Sequence, residues 1–143
     1  MIDHSLAHEV EMSAERIGRL HRLSSDETNS RVSRLAETYV KDTHALWWWG
    51  DLKLPSKRIA YKDHGGLPMW PNMVGPETEA ILVVTDDSEP PWIAYSGCAR
   101  DLAEMLQECR FFEYFVAARD ESWMIFDTHE NELVVVGTLL ECL

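Results

Sequence analysis

A chain of 143 residues, 45% hydrophobic and 27% charged, has the size and balance of one globular domain that buries roughly two thirds of its unfolded surface. Its 25 acids against 13 bases give a formal net charge of −12, which opposes nucleic-acid phosphates and favours basic protein surfaces. No run approaches the roughly 20 apolar residues of a membrane span, and the first residues lack the basic-then-apolar order of a secretory signal, so the expected location is the cytoplasm.

Leu6, Val10, Ile17 and Leu20 recur at helical spacing and predict a helix over 5–22. Ser24 with Glu27 fits a capping box, and Val32, Leu35, Ala36 and Tyr39 continue one face, which predicts a second helix over 25–42. The two helices are expected to form a hairpin over residues 1–45.

Residues 46–78 change character. Trp47, Trp48 and Trp49 are consecutive, and Pro55, Pro68, Pro71 and Pro76 alternate with Gly50, Gly65, Gly66 and Gly75. This composition predicts a functional loop without regular helix, holding only a short strand over 58–61. Lys53, Lys57, Arg58 and Lys62 gather there, either as a solvated flank or as a receiver for an acidic partner.

From residue 79 the pattern is that of a sheet. An apolar run over 80–85, an acidic and proline-rich turn over 86–91 and a short strand over 92–95 precede a helix with Leu102, Met105, Leu106 and Cys109 on one side. Ser96 is the expected N-cap of that helix. Three strands over 111–118, 123–128 and 133–140 follow, joined by four-residue connections that suit antiparallel hairpins. The predicted fold is a single α+β domain: two N-terminal helices, a long loop, then ββαβββ with a mainly antiparallel sheet and helices on one face.

The charge is uneven along the chain. Residues 1–49 hold eight acids and six bases, residues 50–78 three and four, and residues 79–143 fourteen and three. The excess acidity is thus C-terminal.

Chemistry-bearing residues are sparse. Glu113, Asp127, His129 and Glu130 form the densest group, and a D-x-H pair on a strand shares one face, as an acid–base pair or two metal ligands would. A third ligand is missing, and 129–132 also reads as a polar hairpin tip in which Asn131 tolerates positive φ. His4 and His8 lie one helical turn apart at a terminus. No G-x-G-x-x-G, G-K-[ST] or G-x-S-x-G is present. Cys98 near a helix start is either a packing residue or a thiol activated by the helix dipole. No metal, cofactor or catalytic residue is assigned.

The tryptophans point to a partner. Three in a row cannot all face one core, so at least one lies near the surface beside a loop that also holds Trp70. The candidate contact residues are Trp47, Trp48, Trp49 and Trp70 as aromatic anchors, with Asp86, Asp87, Glu89, Asp120, Glu121 and Glu130 as turn acids.

The segments Phe112-Glu113-Tyr114-Phe115-Val116, Trp123-Met124-Ile125-Phe126, His129-Glu130-Asn131 and Val136-Gly137 resemble a group of small uncharacterised bacterial proteins. The likeness covers about residues 79–140. It implies an immunity or accessory protein encoded beside a secreted toxin, and it carries over no catalytic residue. The expected function is an acidic immunity-type protein that neutralises a basic toxin or effector, such as a nuclease, acting alone or as a simple homo-oligomer. The rival is a small enzyme or ligand-binding domain using Glu113, Asp127 and His129, and a third class is an adaptor for a peptide.

Overall fold

The structure, a computed structural model, describes residues 6–42, 48–62, 66–85, 92–109, 112–128 and 130–142. Helix α1 (Leu6–Ile17) ends where Gly18 takes φ +77° and its N–H bonds the Ala14 carbonyl at 3.0 Å. Residues 21–22 therefore leave the predicted helix and form a two-residue strand, β1 (His21–Arg22). Helix α2 (Ser25–Tyr39) starts at the expected capping box: Ser24 Oγ accepts the Glu27 N–H at 3.1 Å, and the Glu27 carboxylate accepts the Ser24 N–H at 3.1 Å.

The proline-rich segment holds more regular structure than its composition predicts. After the 3-10 turn Trp48–Gly50 comes β2 (Ser56–Ala60), then helix α3 (Gly66–Val74). Pro68 lies in the first turn of α3, where N–H groups have no intrahelical acceptor, so only Pro71 removes a helical bond. Burial of Trp70, 0% exposed, outweighs that loss, and Gly75 closes the helix at φ +97°.

Strands β3 (Glu79–Val84) and β4 (Ile93–Cys98) lead into helix α4 (Ala99–Gln107), and β5 (Tyr114–Ala118), β6 (Trp123–Asp127) and β7 (Glu132–Gly137) complete the order before a 3-10 turn at Thr138–Cys142. Ser96 is inside β4 and does not cap α4. Cys98 takes the cap position and makes no side-chain cap bond. All seven strands form one sheet in the order β1-β4-β3-β5-β6-β7-β2, with every neighbouring pair antiparallel. The sheet thus draws β1 and β2 from segments expected to be helix and loop.

Helices cover both faces of this sheet, not one. Leu82, Tyr114, Val116, Ile125 and Val135 point into a core shared with α1, α3 and α4. Their strand neighbours Val83, Phe115, Met124, Phe126 and Val134 point the other way, into a second core closed by α2, Leu23 and Trp48. Alternate side chains of a strand must face opposite sides, so strands clothed on both sides read as unbroken apolar runs. The same division places α1 and α2 on opposite sides of the sheet, and the expected helical hairpin does not form.

The end of β7 requires a glycine by shape. Gly137, at φ +94°, lies where an added Cβ would sit 2.4 Å from the Ser122 carbonyl oxygen and 2.7 Å from Trp123 Cα. The chain leaves β7 there against the β5–β6 turn, in a conformation that side chains rarely adopt.

Candidate functional site

Asp127, the last residue of β6, pairs in register with Tyr114, the first of β5, so both side chains rise on the α3 side of the sheet. Tyr61, just past β2, arrives on the same side because its N–H bonds the Asn131 carbonyl at 3.0 Å. Helix α3 then lays Trp70 over the group. Gly66 permits the approach, since a Cβ there would meet the Tyr61 ring at 2.7 Å.

The result is a buried polar network. Tyr61 Oη donates to Asp127 Oδ1, Tyr114 Oη donates to Asp127 Oδ2 at 2.6 Å, and Trp70 Nε1 donates to Tyr114 Oη at 2.9 Å. Asp127 is 3% exposed and Trp70 is 0% exposed. Burial, followed by the adjoining Asp127, pushes both tyrosine hydroxyls above their ordinary range, so they remain protonated donors. Both carboxylate oxygens of Asp127 therefore accept hydrogen bonds inside the protein. This is the chemistry of a clamp joining β5, β6, α3 and the end of β2.

Glu113 reaches the same end of the sheet. It is 5% exposed, and its charge is close enough to Tyr61 to help hold that hydroxyl protonated. Thr128, 0% exposed, accepts the Glu130 N–H at 3.2 Å, and Asn131 takes φ +59° as the hairpin reading expects. His129 lies outside the described residues. Glu113 and Asp127 thus both act on Tyr61, while the D-x-H pair has one described member. Among the described residues no three His, Cys, Asp or Glu side chains gather as metal ligands do.

The residues expected to meet a partner separate into three groups. Trp70 belongs to the core, and Trp48, 5% exposed, stacks on Phe115 at 5.7 Å and meets Trp92 edge-on at 5.3 Å. Neither offers a surface to a partner, because each fills a gap that helix–sheet packing leaves. Trp49 is half-buried, with the Arg58 guanidinium 5.4 Å from its ring centre. Trp47, Asp86, Asp87 and Glu89 lie outside the described residues.

The turn acids differ among themselves. Glu130 is exposed, as is Asp120, whose Oδ1 accepts the Ser122 N–H at 3.0 Å. Glu121, at φ +66°, turns inward and binds α2: Arg31 reaches Oε2 at 2.7 Å, Arg34 reaches the same oxygen at 2.9 Å, and Tyr39 Oη donates to the Glu121 carbonyl at 2.7 Å. Burial opposes ionisation of its carboxyl, but Arg34 and Arg31 outweigh it and hold the group below the ordinary range. Asp120 and Glu121 lie at the end of the sheet opposite Glu130 and the strand ends that flank 86–91. Glu121 and Glu130 therefore lie at opposite ends of the sheet.

Cys98 does not show an activated thiol. Burial pushes it above its ordinary range, and Asp101 beside it is held in its charged form by a bidentate bond from Arg19, 3.1 and 2.9 Å. Among the described residues no helix is long and apolar enough to cross a membrane. No protein-family model, no curated protein and no solved structure matches the chain.

Proposed function

We propose that this chain is an acidic binding protein of the immunity type, which neutralises a basic toxin or effector protein. The observation that carries the reading is what happens to the positive charge. Arg16, Arg19, Arg22, Arg31, Arg34, Arg58 and Arg100, seven of the 13 bases, each face an acid of the same chain, and against 25 acids the charge that remains is strongly negative. Such a field speeds encounter with a basic surface and repels nucleic acid.

Because both faces of the sheet are covered, contact falls to its ends and edges. The end that carries Glu130 suits a partner best. Arg58 bridges from the Trp49 ring to Glu132 at 3.3 Å, which links a half-buried aromatic to the start of β7, two residues after Glu130 in the chain. An aromatic anchor rimmed by charge is the composition of an energetic centre at an interface.

The test is association of the whole chain with the purified product of the adjacent gene, measured at low and high salt. The expected outcome is a complex whose on-rate falls about tenfold or more as salt rises. No complex, or an on-rate indifferent to salt, overturns the reading. The rival, a small enzyme or ligand-binding domain using Glu113, Asp127 and His129, draws on the burial of Glu113 and Asp127 at one end of the sheet. It gains if a small molecule raises the melting temperature of the parent and not of Glu113→Gln.

A further inference from the structure

The two edges of the sheet are finished differently. β1 is two residues long and offers almost nothing to pair with. β2 runs five residues, Ser56–Ala60, and is hydrogen-bonded to β7 along its whole length on one side. On its other side no described strand pairs with it. The Tyr61 N–H points to Asn131, so by the alternation of an antiparallel ladder Ile59 and Lys57 also turn theirs toward β7, and Ser56, Arg58 and Ala60 turn their N–H and C=O groups outward. Among the described residues no backbone group pairs with these three, and all three are exposed. A row of unpaired backbone groups is a template for another strand.

Charge decides which strand fits. Residues 56–62 contain Lys57, Arg58 and Lys62 and no acid, in a protein of net charge −12. The fourth base of the local group, Lys53, is committed elsewhere, with Nζ on the Glu37 carbonyl near the C-terminal end of α2. Arg58 keeps 43% of its side chain exposed despite its contacts with Glu132 and Trp49. A second copy of the chain is the wrong occupant: antiparallel pairing of two β2 strands about their centre sets Arg58 against Arg58, and like charges directly opposite destabilise a ladder. An extended acidic segment meets the opposite situation, with backbone partners in register and carboxylates beside Lys57, Arg58 and Lys62.

We propose that the outer edge of β2 is a docking site for an extended acidic segment of a protein partner, which joins the sheet as an eighth strand next to β2. The site adjoins the end assigned to a basic surface and shares Arg58 with it, but its binding groups are the outward backbone of β2 and not the acids of that end. Main-chain hydrogen bonds to Ser56, Arg58 and Ala60 hold the segment, and the three bases select it by charge.

The experiment uses the whole isotope-labelled chain and an end-blocked peptide of alternating glutamate and valine. Expected are saturable binding, shifted amide signals and slowed hydrogen exchange at Arg58 and Ala60. Binding should weaken about tenfold in Lys57→Glu/Lys62→Glu, a variant at exposed positions. A folding-independent arm uses the unaltered protein with the same peptide N-methylated at alternate backbone amides, in the two possible phases. One phase should lose binding, because only one set of amides faces β2. The proposal is overturned by no binding up to about 1 mM, by equal binding of a lysine–valine peptide, by equal binding of both N-methylated phases, or by exchange protection that omits Arg58 and Ala60. Protection of those amides by self-association without peptide also overturns it, in favour of a second copy.

Discussion

The two connections that flank β6 are alike in length and opposite in use. Residues 119–122 and 128–131 each join antiparallel neighbours; the first holds Asp120 and Glu121, the second Glu130. In the first, Glu121 folds back over the end of the sheet, and its carboxylate and carbonyl bind Arg31, Arg34 and Tyr39 of α2. In the second, Asn131 supplies the positive φ, and Glu130 faces water. The inward acid at that end is Asp127, three residues earlier, held by neutral tyrosine hydroxyls in the opposite core. A formal charge at a turn therefore says little about the surface until its acceptor oxygens are traced. One end is closed by ion pairs near solvent and the other by neutral donors in a dry site, and the two should respond differently to mutation, salt and pH.

The largest effect is expected at the dry end. Asp127→Ala leaves the Tyr61 and Tyr114 hydroxyls buried without their acceptor, at about 1–3 kcal/mol each, so chemical denaturation should show a loss of about 2–5 kcal/mol. The loss should hardly change with salt, because no exposed charge pair is involved. Asp127→Asn, whose amide oxygen still accepts one hydroxyl, should lose less. A substitution cost under about 0.5 kcal/mol would show that the network is not what binds α3 and β2 to the sheet.

At the wet end, Glu121→Ala should cost about 1–2 kcal/mol, discounted because Arg34 is half exposed, and part of that cost should vanish in high salt. The folded protein holds the Glu121 carboxyl below its unfolded value. A depressed folded value means that this stabilisation is fully present above the unfolded carboxyl range, near about pH 4.3, and is lost as pH falls through the folded value. The parent should therefore lose stability over that acid window, and Glu121→Ala should lose less of it. Equal acid profiles for the two proteins would break the link between this turn and α2.

Much of this contrast was legible in the sequence, though unevenly. The capping box at Ser24 and the order of the three late strands follow from local patterns, although the first strand begins only at Tyr114 and the last ends at Gly137, where a 3-10 turn replaces the strand expected to reach 140. Strands over 118 and 123 joined by a four-residue connection place 114 opposite 127 by counting alone, so the Tyr114–Asp127 contact was available from the hairpin. The apolar runs at Ile81–Val84 and Leu133–Val136 also carry the mark of a sheet covered on both faces, since an antiparallel sheet with one wet face alternates. Other features had no local signal. Tyr61 meets Asp127 across 66 residues, and Arg31 meets Glu121 across 90. Helix α3 was hidden by Pro68 and Pro71, whose cost is overcome only once Trp70 has a core to enter. β1 is two residues long and owes its existence to the neighbouring strand β4.

The smallest effect on stability, and the sharpest test of the proposed interface, is expected at Glu130. Its side chain is exposed, so Glu130→Lys should move the melting temperature by no more than about 2 °C. Asp120→Lys is a less clean reversal, because the Asp120 carboxylate also accepts the Ser122 N–H and its removal loosens the turn that presents Glu121. If a basic partner docks at the Glu130 end, Glu130→Lys should slow its association about two- to fivefold at low ionic strength, and Asp120→Lys, at the far end of the sheet, should slow it less. Exposed charges are largely screened beyond about 8 Å at physiological salt, and that distance shrinks as salt is raised, so all three on-rates should converge. The measurement is association kinetics of parent and both variants across a salt series. Equal slowing by both reversals would mean that the partner senses only the net charge, and a slower rate for Asp120→Lys alone would move the interface to the end closed by α2.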